Sequence, residues 1–122
     1  MSSRATREYL LDMLDAARDA LRIAEGYDYD AFAADSRTWR AVIQALEVVG
    51  EAAKQVDEVT RRQAPDVPWR DVASMRDRLI HGYHSVRLAV VWGTVREDLV
   101  PLCSAIERLL AARDEPREER PQ

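Results

Sequence analysis

Apolar residues recur along this chain at the three- and four-residue spacing of an amphipathic helix, and no segment shows the strict alternation of a half-buried strand. The first apolar stripe consists of Leu10, Leu11, Leu14, Ala17, Leu21 and Ala24. With 122 residues and a hydrophobic share of 47%, the chain is long enough for one domain with its own core. The sequence therefore predicts an all-α protein.

Four main helices and one short extra helix are predicted, arranged as an antiparallel bundle. The main helices are expected at about residues 4–25, 36–62, 68–81 and 86–113, and the short one at 28–32, capped by Asp28. Gly26 and Gly82 are suited to end the first and third helices. Gly50 lies inside the second helix, where a glycine is expected to allow close approach of another helix. Pro101 is expected to kink the fourth helix, because proline removes a backbone donor.

One helical domain is expected over residues 1–113, followed by a disordered tail over 114–122, which has two prolines and alternating charge. Cys103 is the single cysteine, so an intrachain disulfide is excluded, and the simplest interpretation is a small buried residue. The sequence shows neither a signal peptide nor an apolar run of membrane-spanning length. A cytoplasmic location is therefore expected.

Positive charge is gathered in one part of a chain whose net charge is −4. Between residues 61 and 87 there are six arginines and three aspartates, a formal charge of +3, which leaves −7 for the rest. The overall charge argues against a general nucleic-acid coat protein. The basic segment is nevertheless what a small phosphate-binding site would need.

Three side chains with complementary chemistry lie close together in that segment: Arg76, His81 and Tyr83. Arginine recognises phosphate, histidine transfers protons near neutral pH, and tyrosine offers a hydroxyl that can be modified. On a continuous helix, Arg76 and Tyr83 would share a face. Asp77, four residues before His81, could then hydrogen-bond one nitrogen of the imidazole ring. This segment predicts phosphodiester chemistry.

RNA can be cleaved without a metal ion when its own 2′-hydroxyl attacks the neighbouring phosphate. That reaction needs a base, an acid and a cation for the developing negative charge. One copy of the chain offers His81 and Arg76, whereas a symmetric dimer offers two of each. We therefore expect the site at a two-fold interface.

The pattern of an arginine, four residues, a histidine, one residue and a tyrosine resembles the signature of the HepT-like toxins, a branch of the HEPN superfamily. The resemblance extends over nearly the whole chain except the tail. It includes Val48-Val49-Gly50-Glu51-Ala52-Ala53, Pro68-Trp69-Arg70, Val91-Trp92 and Asp98-Leu99-Val100-Pro101-Leu102.

This resemblance implies a HEPN-like helical bundle that forms a homodimer and acts as a metal-independent ribonuclease toxin without a cofactor. It implies Arg76 and His81 as catalytic residues and Asp77 as a supporting polar residue. It further implies a nucleotidyltransferase antitoxin of the MNT type as partner, which neutralises the toxin by transferring AMP to Tyr83. An added phosphate would bring negative charge and bulk beside a site built for RNA.

Other interpretations remain open for the chain as a whole. It could be a non-catalytic helical binding subunit or substrate of a nucleotidyltransferase, or a nucleotide-binding regulator. For single residues, His81 could merely complement a helix terminus, and Arg76 could be a solvated surface charge. Arg78 and His84 are interpreted as surface residues.

Two further groups of residues allow more than one interpretation. Glu47 and Glu51 are spaced like ligands of a di-metal site, but no accompanying Glu-x-x-His motif is present. We instead expect Glu51 to pair with an arginine across the bundle. Trp39, Trp69 and Trp92 are interpreted as core or interface anchors rather than platforms for base stacking.

Overall fold

Helices dominate this computed structural model, which describes the backbone of residues 3–81 and 85–114 and the side chains of residues 5–80 and 85–113. The helices are α1 (Ser3–Ala24), α2 (Tyr29–Ala34), α3 (Ser36–Gln55), α4 (Glu58–Arg62), α5 (Trp69–Ala73), α6 (Met75–Leu79), α7 (Leu88–Gly93), a π-helix (Thr94–Asp98) and α8 (Leu99–Asp114). Two short strands, β1 (Ile80–His81) and β2 (Ser85–Val86), pair antiparallel. The all-α prediction is confirmed, and the homodimer stays a prediction.

The core lies between three long helices. α1 packs along α3 and against α8, and α3 also packs against α5 and α6. The largest fully buried side chains come from α1, α2, α3, α6 and α8: Leu10, Met13, Phe32, Leu46, Met75, Leu79, Leu99 and Ile106. No helix within the described ranges is both long enough and apolar enough to cross a membrane.

The second predicted helix is divided into two. It was expected to continue to Arg62, but α3 ends at Gln55 and Val56 is extended, with φ −71° and ψ 129°. Asp57 then caps α4, because its carboxylate accepts a hydrogen bond from the backbone N–H of Thr60 at 2.8 Å. The same carboxylate accepts a bond from the hydroxyl of Thr6 on α1, also at 2.8 Å. These hydrogen bonds, led by that of the Thr60 backbone, lower the pKa of Asp57 below its usual value.

The fourth predicted helix is also interrupted. It begins at Leu88 rather than at Val86, and it passes through the π-helix just before Pro101. There the N–H of Leu99 donates to the carbonyl of Thr94, five residues earlier. A wide turn of this kind relieves the crowding that a proline ring imposes on the preceding turn. The structure thus has a π-helix N-terminal to the proline, and the kink expected at Pro101 itself stays a prediction.

Several local predictions are confirmed. Asp28 caps α2 by accepting from the N–H of Ala31 at 2.8 Å, although that helix continues to Ala34. Gly26 follows α1 with a φ of 83°, a conformation that favours glycine. Cys103 is buried, and this burial raises the pKa of its thiol. Of the predicted tail, Asp114 is the last residue of α8, and residues 115–122 lie outside the described residues.

The tryptophans pack as predicted anchors. Trp69 is buried, and its indole N–H donates to the carbonyl of Ala64 at 3.0 Å. Trp92 packs against Phe32 of α2, with ring centroids 5.0 Å apart. Trp39 is partly buried against the core.

Candidate functional site

Gly50 determines how the segment that carries the motif meets the rest of the molecule. A Cβ atom added at Gly50 would lie 3.0 Å from the Cβ of Met75 and 3.1 Å from the carbonyl oxygen of Val72. Both distances are shorter than ordinary van der Waals contact. The backbone of α3 therefore approaches α5 and α6 so closely that any other residue at position 50 would require a small shift of its neighbours. The predicted role of Gly50 is confirmed.

The predicted third helix contains an irregular turn at Ser74 between α5 and α6. Ser74 has φ −97° and ψ 23°, and its hydroxyl donates to the carbonyl of Arg70 at 2.9 Å. The first residue of α5 is Trp69, one residue after the expected start at Pro68. Met75 and Leu79 are buried, which anchors α6 to the core and leaves the intervening Arg76 and Asp77 exposed.

Arg76 is the motif side chain whose surroundings the structure defines best. Its guanidinium Nη1 donates to Oε2 of Glu47 on α3 at 2.6 Å, a charge-assisted hydrogen bond between two helices. The Arg76 side chain is 68% exposed and that of Glu47 is 29% exposed. The arginine is thus fixed at one end of its guanidinium and open to solvent elsewhere, as a phosphate-binding group needs to be.

The sequence alone did not predict Glu47 as the partner of Arg76. The expected cross-bundle partner was Glu51, but Glu51 pairs with Lys54 of its own helix at 2.8 Å, so that prediction is wrong. Glu47 lies one helical turn before Gly50, on the side where α6 approaches. Gly50 is the sequence feature from which Glu47 could have been predicted. A glycine inside a helix indicates a contact with another helix, and a polar residue one turn away is then placed to reach that helix.

The second arginine of α6 is held less firmly. Nη2 of Arg78 lies 3.9 Å from Oδ2 of Asp98 in the π-helix, a distance too long for a hydrogen bond. This side chain is 35% exposed, so Arg78 is a partly exposed surface residue. The two arginines of α6 consequently differ in kind: Arg76 is hydrogen-bonded, whereas Arg78 is only near a charge.

The helix ends two residues before the motif histidine. The C-cap, Ile80, is extended, and His81 pairs with Ser85 across the two-stranded sheet. The N–H of Arg87 donates to the carbonyl of Leu79 at 2.7 Å, which continues the pairing of the two strands by one residue on each side. The angular relations expected for a continuous helix from Arg76 to Tyr83 therefore do not apply, because the chain changes from helical to extended at Ile80.

The remaining predicted site residues have defined positions only in part. The backbone of His81 lies in β1, but its side chain is outside the described part of the structure, as are Gly82, Tyr83 and His84. The proposed hydrogen bond between Asp77 and the imidazole stays a prediction. Within the described residues, no group of three or more histidine, cysteine, aspartate or glutamate side chains could hold a metal ion.

A cavity of about 270 Å³ lies on the other side of the α5–α6 segment, toward α8. Val72, Met75 and Leu102 contribute apolar side chains to its lining, and Arg78 and Asp98 contribute charged ones. Arg76 is not part of this lining. The cavity and the motif arginine therefore occupy different faces of the same segment.

Comparison with known proteins places these features in a family. A family model described as "Ribonuclease HepT-like" matches residues 13–109. A protein of Thermococcus cleftensis named "Probable ribonuclease HepT" is 39% identical over 106 residues, which are 87% of this chain and 96% of that protein. A protein of Methanocaldococcus jannaschii that is named as an RNase is 33% identical over 88% of this chain and 98% of its own length.

A third relative, from Caldanaerobacter subterraneus and also named as an RNase, is 30% identical over 88% of this chain and 96% of its own length. No solved structure matches this chain. The family match covers α3, α5 and α6, the two strands and most of α8, and thus includes both Arg76 and Glu47. This chain belongs to the HepT-like ribonuclease family.

Proposed function

We propose that this protein is the toxin of a HepT/MntA-type toxin–antitoxin system and acts as a metal-independent endoribonuclease. The observation that carries the proposal is Arg76, a solvent-open guanidinium fixed by Glu47 in the segment that leads to His81. A surface arginine anchored at one nitrogen is well suited to receive a phosphate oxygen. Membership of a ribonuclease family supplies the reaction class.

In the proposed reaction, the 2′-oxygen of RNA attacks the adjacent phosphorus while the bond from phosphorus to the 5′-oxygen breaks. The 2′-hydroxyl proton goes to a base, and an acid protonates the departing 5′-oxygen. His81 supplies acid or base catalysis, Arg76 stabilises the negative charge on the phosphate, and Asp77 orients the site. A dimer brings two copies of this set to one cleft and so provides an acid and a base together.

The first test is cleavage of RNA by the purified protein in the presence of EDTA. We expect products with 2′,3′-cyclic phosphate and 5′-hydroxyl ends, and we expect His81→Ala and Arg76→Ala to lose at least about 100-fold in kcat/KM, the usual scale for acid–base and charge-stabilising groups. Arg70→Ala is a matched control, because Arg70 is an exposed arginine of the neighbouring helix. Equal activity in wild type and His81→Ala would refute the enzymatic proposal.

Regulation by a nucleotidyltransferase partner is the second part of the proposal. The Tyr83 hydroxyl gives up its proton to a base, and its oxygen attacks the α-phosphorus of ATP. A new phosphorus–oxygen bond forms while the bond from the α-phosphorus to the bridging oxygen breaks, and pyrophosphate leaves. The resulting phosphodiester places negative charge two residues from His81 and disfavours RNA phosphate.

Intact mass spectrometry after co-expression with the partner tests this step. We expect one added AMP in wild type and none in Tyr83→Phe, together with loss of RNA cleavage in the modified protein. A modified protein that still cleaves RNA would contradict neutralisation. An adduct on a wild-type protein that never cleaves RNA would instead favour a non-catalytic substrate of the transferase.

A further inference from the structure

We propose that Glu47 is a positioning residue that fixes the guanidinium of Arg76 for phosphate binding in the reaction. The inference rests on the proposed ribonuclease function and adds a residue to its site. It starts from the 2.6 Å hydrogen bond between Oε2 of Glu47 and Nη1 of Arg76. This bond joins residues 29 positions apart in the chain and brings α3 into a site that the sequence assigned to the motif segment alone.

The bond can form because the two helices lie close together. Gly50 brings the backbone of α3 next to Met75, the residue before Arg76. Glu47, one turn earlier on α3, then meets Arg76 with no intervening residue. The glutamate is only 29% exposed, so its own side chain has restricted freedom. A restrained carboxylate is a firm anchor for a long and otherwise mobile side chain.

The pair has little value for stability alone, since an ion pair with one partner largely exposed contributes little to folding. Its effect on the arginine's conformation is larger, because an anchored guanidinium keeps one orientation of its planar fork. Among the described residues, Arg76 forms its hydrogen bond with Glu47, and this bond engages one of the two terminal nitrogens. The other terminal nitrogen and Nε remain available for the two-point contact that guanidinium groups make with phosphate.

Arg78 shows what an arginine of the same short helix looks like without such an anchor. Its Nη2 lies 3.9 Å from the carboxylate of Asp98, too far for a hydrogen bond. Arg76 is much more exposed than Arg78, yet within the described part of the chain it is Arg76 that forms a hydrogen bond to a neighbouring helix. The difference indicates that the Glu47 contact selects the motif arginine and is not general for α6.

A carboxylate beside the phosphate site also has a cost for binding, because it repels the substrate. Removing Glu47 should therefore strengthen the ground-state binding of RNA while it loosens the arginine. The looser arginine should lower kcat, and the loss of the repelling charge should lower KM. Both constants should therefore fall in Glu47→Ala. Partial unfolding would lower kcat without lowering KM, which distinguishes positioning from a structural role.

The experiment compares wild type with Glu47→Ala, Glu47→Gln and the matched control Glu51→Gln, which removes a carboxylate one turn away that contacts Lys54 instead. For Glu47→Ala we expect kcat to fall about 10- to 100-fold, the cost of a misplaced catalytic group, with a lower KM and tighter binding of an oligonucleotide whose 2′-hydroxyls are absent. Glu47→Gln should recover part of kcat, because its amide oxygen still accepts from the guanidinium. Glu51→Gln should behave as wild type.

The second measurement is independent of RNA cleavage. Relaxation of the Nε–Hε group by ¹⁵N NMR should show Arg76 more ordered than Arg78 in wild type and as mobile as Arg78 in Glu47→Ala. If Arg76 stays rigid without Glu47, or if Glu47→Ala raises kcat, the positioning inference is wrong. If no variant, including wild type, cleaves RNA, the proposed function fails, and the relaxation data still decide whether Glu47 orders Arg76.

Discussion

Gly50 is the residue on which the geometry of the site depends most. Its missing side chain lets α3 approach the carbonyl of Val72 and the side chain of Met75, so any added atom must displace backbone rather than a flexible side chain. The sequence indicated this role, because a glycine inside a helix is unfavourable unless packing requires it. It did not indicate which helix would approach.

Gly50→Ala should therefore destabilise the protein even though alanine favours helices. The overpacking cost of about 1–3 kcal/mol is opposed by a gain of about 1 kcal/mol in helix propensity, so a net loss of up to about 2 kcal/mol is expected in urea unfolding. The same change should lower ribonuclease activity, since it displaces α6 from Glu47.

Gly93→Ala is the matched control for that prediction. Gly93 ends α7 with helical angles, and an added Cβ would meet only Oε1 of Glu97, at 3.9 Å. Here the propensity gain is not opposed, so a small increase in stability is expected. If both variants were equally stable, the packing argument for Gly50 would be wrong.

The contact between Glu47 and Arg76 could not be predicted from a local sequence pattern. Arg76, His81 and Tyr83 are close in the chain, so a local pattern was enough to propose them together. Glu47 joins Arg76 across 29 residues through a packing contact. No local pattern specifies such a contact, because it depends on the distance between two helices.

Among the elements, the break between α3 and α4 is the largest departure from the sequence prediction. Residues 56–58 contain neither glycine nor proline, so the apolar pattern gave no reason to end the helix. The break depends on Asp57, which caps α4 and also accepts from Thr6 of α1. Arg113 of α8 reaches the same place, where its Nη1 donates to the hydroxyl of Thr60 at 3.3 Å. A cap that links three helices is a tertiary feature.

Asp57→Ala should cost about 1 kcal/mol of stability at pH 7, the usual loss for an N-cap, whereas Asp57→Asn should cost less, since asparagine caps a helix equally well. The pKa of Asp57 is lowered in the folded protein. The stabilisation from its charge is therefore present above the pKa of the unfolded chain and is lost as the pH falls through the folded value.

Urea midpoints of wild type and Asp57→Asn should accordingly keep their separation from pH 7 down to about pH 4 and should converge as the pH falls further, because the folded pKa of Asp57 lies below its usual value. A difference that grew on acidification would contradict the assigned direction of the pKa shift. The comparison between two capping residues isolates the charge from the cap itself.

At the scale of the whole molecule, one protomer presents its motif arginine on an open surface rather than inside a closed pocket. The long helices and their shared core followed from the helical periodicity, because burial of amphipathic faces leaves few alternatives for a chain of this length. The relation between two copies has no such local signal, and the homodimer remains a proposal drawn from the need for two proton-transfer groups.

If the site is shared between protomers, activity should depend on protein concentration. Specific activity should fall on dilution below the dimer dissociation constant, as followed by analytical ultracentrifugation in parallel with RNA cleavage. An excess of His81→Ala should also inhibit wild type by forming mixed dimers. Full activity in a monomer would contradict the shared site.

The π-helix before Pro101 determines how this region should respond to the loss of a residue. A π turn accommodates one residue more than an α turn, so α7 and α8 keep nearly the relative rotation of two segments of a regular helix that is one residue shorter. Deletion of a single residue between positions 94 and 98 should therefore close the wide turn and keep Trp92 beside Phe32, whose ring centroid is 5.0 Å from its own. A deletion in the regular part of α8 would instead rotate everything that precedes it by about 100°. The π-helix thus makes these five positions the ones where this part of the bundle should best tolerate a lost residue.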